Sequence, residues 1–289
     1  MKRYLKLIRF EQYIKNTFVF APLFFAGELT NFNFVIKTLV CFISFCLASS
    51  SIYIINDYFD INEDKQHPIK SKRPLASGAI SIKKAFILLL ILLALSIVFA
   101  FSINIKVFII IVCYIILNVL YSIKLKHIPL LDINIIATGF VLRILAGAST
   151  TSIEPSIWII IETYLLALFL ALSKRRIDFI LHADGLKVRK NIDGYNLQFI
   201  DITLGILSAI IIICYIFYCI SDEVQQHYNS KLLFVSIIFV LNGLIRYLKL
   251  AIVDKTTHSP TTIVLKDTFI QIVIIGWIAF LSFLLYHKT

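Results

Sequence analysis

Four acidic residues, Asp57, Asp60, Glu63 and Asp64, fall within eight positions at the end of an apolar run. Upstream, residues 35–55 hold no acid and one cation, Lys37. A helix carried through this stretch puts Asn56, Asp60 and Asp64 at i, i+4 and i+8 on one face, with Asp57 at its edge. Carboxylates converging at a membrane surface repel one another unless a cation lies between them. A hard divalent ion answers that need, and Mg²⁺ commonly bridges one or two carboxylates to substrate phosphates. Asn56, Asp57, Asp60 and Asp64 are therefore the expected metal ligands, and the three aspartates the expected catalytic residues. Lys65, His67, Lys70, Lys72 and Arg73 follow at once, donors suited to phosphate. Acids for a metal beside cations for phosphate point to a diphosphate substrate. The same charges also describe a solvated helix end followed by a basic loop. The spacing of the acids, and their place at the end of an apolar run, favour the metal–diphosphate reading.

The elements that must hold these residues are membrane helices. Apolar residues make up 59% of the chain and charged ones 16%, which excludes an ordinary soluble domain of this length. Nine apolar runs qualify as candidate spans: about 17–30, 35–56, 84–102, 104–123, 130–149, 156–173, 198–220, 230–250 and 268–286. The first is short and contains Pro22, so a tilted, broken or partly re-entrant segment is expected there. Run length selects helices over a barrel, whose strands would be about ten residues and alternating. The expectation is thus an all-α integral membrane protein, a single transmembrane domain over 1–289. With the N-terminus in the cytoplasm, 23 of the 28 Lys and Arg fall on the cytoplasmic side and four on the other, which sets the orientation. Topology and anionic lipid then explain the net charge of +11, and no nucleic-acid partner is expected. The N-terminus does not read as a cleaved signal, because Glu11, Gln12 and Asn16 follow its basic residues with no small-residue cleavage site. All five cysteines lie in apolar runs without ligand-like pairing and read as core residues.

Other candidates lie on the same face. Residues 1–16 place Tyr4, Leu5, Ile8 and Tyr13 at helical spacing among Lys2, Arg3, Lys6 and Arg9, the pattern of an interfacial amphipathic helix. Lys15 and Asn16, at its junction with the first span, fit either an anchor or a substrate contact. Tyr121, Lys124 and Lys126 end the fourth span before Pro129 breaks the chain, and they also allow both readings. Arg143 is about 16 Å deep in the fifth span, at ~1.5 Å per residue. Buried arginine in a membrane marks an ion pair or a cavity. A pair with Glu162, at similar depth, and a place in an anion-binding cavity are the two options. The loop from Ser173 carries Lys174, Arg175, Arg176, Asp178, Asp184, Arg189, Asp193 and Tyr195. A loop that served topology alone would not need those aspartates, so a second half-site is expected there.

The pattern Asn56-Asp57-x-x-Asp60-x-x-x-Asp64 followed by Arg73-Pro74-Leu75 resembles the first signature of the UbiA-type intramembrane prenyltransferases. Several details look most like the branch that acts on decaprenyl phosphate with a phosphoribosyl donor. They are Gln12-x-x-Lys15-Asn16-x-x-Val19-Phe20-x-Pro22, His67-Pro68-x-Lys70-x-x-Arg73-Pro74, Tyr121-Ser122-x-x-Leu125-Lys126, Gly139-Phe140-x-Leu142-Arg143, Ser173-Lys174-Arg175 and the element from Pro260 to Asp267. The resemblance covers nearly the whole chain. It implies a helical bundle around a central cavity, Mg²⁺ at the cytoplasmic rim and diphosphate chemistry. One departure matters: members that transfer prenyl groups usually carry a second Asp-x-x-x-Asp motif, and here Asp178, Asp184 and Asp193 are spaced more widely among cations.

The expected reaction is Mg²⁺-dependent transfer of 5-phosphoribose from phosphoribosyl diphosphate to a polyprenyl phosphate, at the cytoplasmic face of a bacterial inner membrane. Lys126, Arg143, Lys174, Arg175, Arg176 and Arg189 are the expected phosphate ligands. Lys15, Asn16, Lys70, Arg73, Tyr121, Asp178 and Tyr195 complete the expected substrate contacts. Two alternatives stand: prenyl transfer from a prenyl diphosphate to a small acceptor, and a lipid-binding or transport protein using Arg143 and Glu162.

Overall fold

A computed structural model describes residues 2–67, 70–183, 194–256 and 259–286. All regular structure among them is helical. Eight helical segments are long and apolar enough to cross a membrane, one fewer than the nine runs read from the sequence. The run that drops out is the first. It is a 3-10 helix, Phe10–Phe20, leading into a five-residue α-helix, Ala21–Phe25 (α2), with Pro22 in its first turn. Proline is tolerated there because that N–H has no helical partner. The chain forms two compact units, Met1–Pro155 and Ser156–Thr289.

The first unit is organised around α3, Phe32–Phe59. Asn31 caps it, accepting from the Phe34 amide at 3.5 Å. Against it pack α5 (Ile82–Ile103), α6 (Ile105–Ile123), α7 (Leu131–Thr151) and the 3-10 helix. Lipid is as apolar as leucine, so polar and close-packing contacts must hold these helices together. Ser44 Oγ donates to the Ser96 carbonyl at 2.7 Å and Ser96 Oγ to the Ser44 carbonyl at 2.8 Å, joining α3 to α5. Thr38 and Thr150 share a 3.0 Å hydroxyl contact between α3 and α7. At Gly147 of α7 the 3-10 helix comes so close that an added Cβ would lie 1.9 Å from the Val19 carbonyl oxygen.

Two sequence expectations change near the N-terminus. The amphipathic helix stops at Leu7 (α1, Lys2–Leu7), and Arg9 takes a left-handed conformation, φ 52°. The fully buried side chain is Leu7, packed with Ile54, Leu75, Ile80 and Leu89, rather than a residue of the Tyr4–Leu5–Ile8 stripe. The acidic stretch is also not one helix. α3 ends at Phe59 and α4, Ile61–Gln66, restarts after Asp60. The i+4 spacing survives the break, because the Asp60 amide donates to the Asn56 carbonyl at 3.0 Å and the Asp64 amide to the Asp60 carbonyl at 2.8 Å.

In the second unit α8, Ile157–Ala183, packs on α9, Leu197–Ile220, and α11, Ile237–Leu248, on α13, Thr268–Tyr286. Two short helices, α10 (Asp222–Tyr228) and α12 (Pro260–Lys266), fill the connections. Hydroxyls again tie the helices: Ser173 to Tyr247 at 2.8 Å, Tyr215 to Ser236 at 2.8 Å, and Trp277 Nε1 donating to Tyr215 at 2.7 Å.

Gly147→Ala forces the 3-10 helix away from α7, and an overpacked contact of this kind costs about 1–3 kcal/mol. A clearly lowered thermal midpoint is expected for the detergent-purified variant. Gly205→Ala, where an added Cβ meets nothing within 4 Å, should leave the midpoint unchanged.

Candidate active site

The end of α3 is an unfavourable place for acids, since the C-terminal end of a helix carries partial negative charge. Asp57 and Asp60 nevertheless stand there, and Asp57 and Asp64 are 2% and 3% exposed. Buried carboxylates need compensation, and cations from three separate segments supply it. Arg73 Nη1 lies between two acids, donating to Asp57 Oδ1 at 3.2 Å and Asp64 Oδ2 at 2.7 Å. Arg9 also donates to Asp57 Oδ1, with its guanidinium 4.6 Å from the Tyr53 ring centroid. Lys126, itself buried, donates to Asp60 Oδ1, and Asn56 Nδ2 donates to Asp60 Oδ2 at 2.9 Å. Burial pushes the Asp64 carboxyl up. Arg73 pulls it back, and Asp57 and Asp60 add to the rise.

The expected convergence of Asn56, Asp57, Asp60, Asp64, Arg73 and Lys126 is therefore present in the first unit. Arg9 was missed, because the N-terminal segment reads as one interfacial helix whose cations face headgroups and water. Leu7 falling off the assumed apolar stripe was the available sign of the break. Lys70 lies in a short 3-10 turn, its amide donating to His67 Nδ1 at 3.3 Å.

Among the described residues no three His, Cys, Asp or Glu side chains stand close enough together to hold a metal as they are. The donor set still suits Mg²⁺: three carboxylates and one amide, all oxygen. A guanidinium nitrogen shared by Asp57 and Asp64 stands in for such a cation and marks where positive charge is required.

A second cluster lies deeper in the same unit. Arg143 donates from Nε to Asn16 Oδ1 at 2.8 Å, from Nη1 to the Gly139 carbonyl at 2.7 Å and from Nη2 to the Tyr114 hydroxyl at 3.0 Å. Its guanidinium also lies 4.8 Å from the Tyr114 ring centroid and 5.5 Å from that of Phe45. Neutral groups of the first unit thus supply the hydrogen bonds of Arg143. In the second unit, Glu162 Oε1 is buried with no hydrogen-bond partner among the described residues. Asn16, 1% exposed, donates to Cys46 Sγ and Ser49 Oγ, both at 3.2 Å, which fixes it against α3. Neighbouring Lys15 feels the charges of Arg143 and Arg9 and the Tyr121 hydroxyl. Burial, then repulsion from those two arginines, brings its ammonium down to about 8. Between about pH 8 and the ordinary lysine value the unfolded chain binds the extra proton, so Lys15 favours folding more as pH rises through that window.

In the second unit the basic residues of α8 divide. Lys174 is exposed. Arg175 is 1% exposed and donates to Asp178 at 2.6 Å. Arg176 clamps three segments, donating from Nε to Asp201 Oδ1 at 2.6 Å and from Nη1 to the carbonyl of Ala251, in the π-helical turn after α11. These contacts fix the position of Arg176 within the second unit. Tyr195 is buried, its ring 6.5 Å from that of Phe199. Asp184, Arg189 and Asp193 lie outside the described residues, as does Pro68.

Residues 17–221 match the UbiA prenyltransferase family. The chain is 30% identical to the decaprenyl-phosphate phosphoribosyltransferase of Mycolicibacterium smegmatis, over 98% of its own length and 92% of the relative's. It is 29% identical to the protein of the same name from Corynebacterium glutamicum, over 95% of this chain and 84% of that one. The fold superposes with a TM-score of 0.73 on a UbiA homolog from Archaeoglobus fulgidus bound to GPP and Mg²⁺, at 24% identity, covering 98% of this chain and 99% of that one. The Asn56–Asp64 signature, the cations that answer it and the matched family model together place the chain as an integral membrane transferase of the UbiA prenyltransferase family.

Proposed function

We propose that the protein transfers 5-phosphoribose from phosphoribosyl diphosphate to a polyprenyl phosphate, releasing pyrophosphate. The observation that carries this reading is the Asp57–Arg73–Asp64 bridge beside the Lys126–Asp60 pair, an arrangement built for alternating positive and negative charge. A diphosphate with a divalent cation has that charge pattern. The phosphoribosyl donor is supported by the likeness, along nearly the full chain, to relatives named for decaprenyl-phosphate phosphoribosyl transfer.

Asn56, Asp57, Asp60 and Asp64 would hold Mg²⁺, which when bound offsets the charge of the donor's diphosphate. Arg73, Arg9 and Lys126 already reach those carboxylates and present N–H donors to the departing pyrophosphate. An oxygen of the acceptor phosphate forms the new bond to the anomeric carbon. The bond from that carbon to the diphosphate breaks, and the electron pair leaves with pyrophosphate. The acceptor oxygen is already anionic, so no side chain is assigned as general base. From the second unit, Lys174, Arg175, Arg176, Asp178, Arg189 and Tyr195 remain proposed substrate contacts, with Lys70 in the first. The site is proposed to face the cytoplasm from a bacterial inner membrane, where both the soluble donor and a lipid acceptor are within reach.

The test uses purified protein in detergent, labelled phosphoribosyl diphosphate, Mg²⁺ and a polyprenyl phosphate, with label followed into the organic phase. Transfer is expected, lost with EDTA. Asp60→Ala and Asp64→Ala should each lower turnover by about a hundredfold or more, the scale for removing one preorganised electrostatic contact, with elution and thermal profile kept. Wild-type turnover in either variant would remove the carboxylates from the chemistry. No phosphoribosyl transfer, with activity from a prenyl diphosphate and an aromatic acceptor instead, would give the protein an ordinary prenyltransferase reaction.

A further inference from the structure

The ion pairs at the end of α3 balance: Asp57, Asp60 and Asp64 meet Arg9, Arg73 and Lys126. Lys15 and Arg143 add two positive charges and have no carboxylate partner among the described residues. Arg143 at least donates from each of its three nitrogens to a neutral group, whereas the Lys15 side chain makes no hydrogen bond or ion pair among the described residues. An ammonium partly withdrawn from water, set beside two guanidiniums, is a poor arrangement unless an anion completes it.

The position of Lys15 says where that anion comes from. Asn16, next in sequence, is hydrogen-bonded to Cys46 and Ser49 of α3, and Tyr13 shares a 3.0 Å contact with Ser50. These α3 residues precede Asp57 by seven to eleven positions, roughly 10–16 Å along a helix of ~1.5 Å rise. The backbone of Lys15 thus lies on the membrane side of the carboxylates, with its side chain close enough to feel Arg9 and Tyr121 toward the carboxylate end. A soluble diphosphate approaches from water. A phosphate carried on a lipid chain approaches from the bilayer.

We propose that Lys15 is the anchoring residue of a phosphate-monoester subsite on the membrane side of the carboxylate cluster, with Tyr121 at its edge and Arg143 supplying charge behind it, and that it receives the acceptor lipid's headgroup. The identity of this phosphate as the acceptor's rests on the proposed phosphoribosyl transfer; the subsite itself does not. A phosphate dianion carries the two charges the cluster lacks.

The subsite has a pH dependence whose sign is set. The ammonium is the binding form, and in the bare protein it titrates at about 8. The groups around it are Arg9 from the preceding turn, Arg143 from α7, Tyr121 from α6, and on α3 Tyr53 beneath Arg9 and Asp57, whose charge Arg9 and Arg73 take up. The arginines stay charged across this range. A phosphate monoester, with its second ionisation near pH 6, is already a dianion. Its affinity should therefore fall about tenfold between pH 7 and pH 9, as Lys15 loses its proton.

The experiment measures equilibrium binding of a labelled short-chain prenyl monophosphate to the detergent-purified full chain without donor, alongside transfer kinetics. Lys15→Met should weaken monophosphate binding about tenfold at pH 7 and raise the KM of the lipid acceptor, leaving the KM of phosphoribosyl diphosphate within about twofold. Lys15→Arg should keep the affinity at pH 7 and flatten its decline to pH 9, which decides the matter even where Lys15→Met fails to fold. Lys15-dependent monophosphate binding in a protein that transfers no phosphoribose would uphold the subsite and overturn the proposed reaction. Unchanged monophosphate binding in Lys15→Met, or a defect confined to the donor's KM, would overturn the subsite whatever the reaction.

Discussion

The structure of the first unit depends on one constraint: carboxylates buried at the wrong end of a helix. Asp57 and Asp60 stand in or at the end of the last turn of α3, where the helix dipole repels negative charge, and Asp64 is buried one turn further on. Stability alone would not select this. Burial raises the cost of each charge, and the chain answers by bringing cations from the turn after α1, from the loop after α4 and from the turn after α6. The neighbouring structure serves that delivery. The left-handed turn at Arg9 directs the guanidinium back to Asp57, and the fully buried Leu7 pins the short α1 so that the turn is held. Helix α4 restarts at once after Asp60, which puts Asp64 in a favourable first turn while keeping it one helical turn from Asp60.

Charge of both signs packed this tightly is easily rearranged by a ligand. A guanidinium shared between two carboxylates can give way to a metal ion where the displaced arginine finds phosphate oxygens to bond. Arg73 and Arg9 have the fork geometry for that, and as arginines they keep their charge while moving between partners. The same pairs that hold the unliganded site together are thus suited to hold a charged substrate. Replacing them with apolar packing would favour the fold over the chemistry.

Much of this was legible in the sequence. The length of the apolar runs gave the helical class, and eight of nine expected spans have helices of the required length. The i, i+4, i+8 spacing of Asn56, Asp60 and Asp64 survived because the backbone bonds across Asp60 follow the same period even though the helix is interrupted. Arg73 and Lys126 were legible as cations close to acids on one membrane face. Arg9 was not, since its role depends on a single residue leaving the helical region, and the one trace of that in the run is Leu7 standing off the apolar stripe. Arg143 was legible as an outlier but its partners were not. A deep arginine suggests an acid, and the acid at similar depth was Glu162. The partners are an amide, a backbone carbonyl and a phenol, brought together by the close approach of the 3-10 helix to Gly147, which is a tertiary fact. Arg176 was legible as a cation of the second charged stretch, but its partner Asp201, on the next helix, was not.

The choice of neutral partners for Arg143 has a consequence for the whole unit. An ion pair with a carboxylate would have cancelled the charge and left a closed, self-sufficient core. Held by Asn16, Gly139 and Tyr114, the guanidinium is satisfied in hydrogen bonds but not in charge. Its field extends to Lys15, where it helps lower the ammonium's proton affinity. In a medium of low dielectric such a field weakens slowly with distance, and among the described residues neither Arg143 nor Lys15 has a carboxylate partner. The carboxylate end offers balanced pairs that can be exchanged, and the deeper end offers charge that has not been matched. The proposed reaction, which joins two phosphorylated molecules, one from water and one from the bilayer, would need both kinds of place in that order.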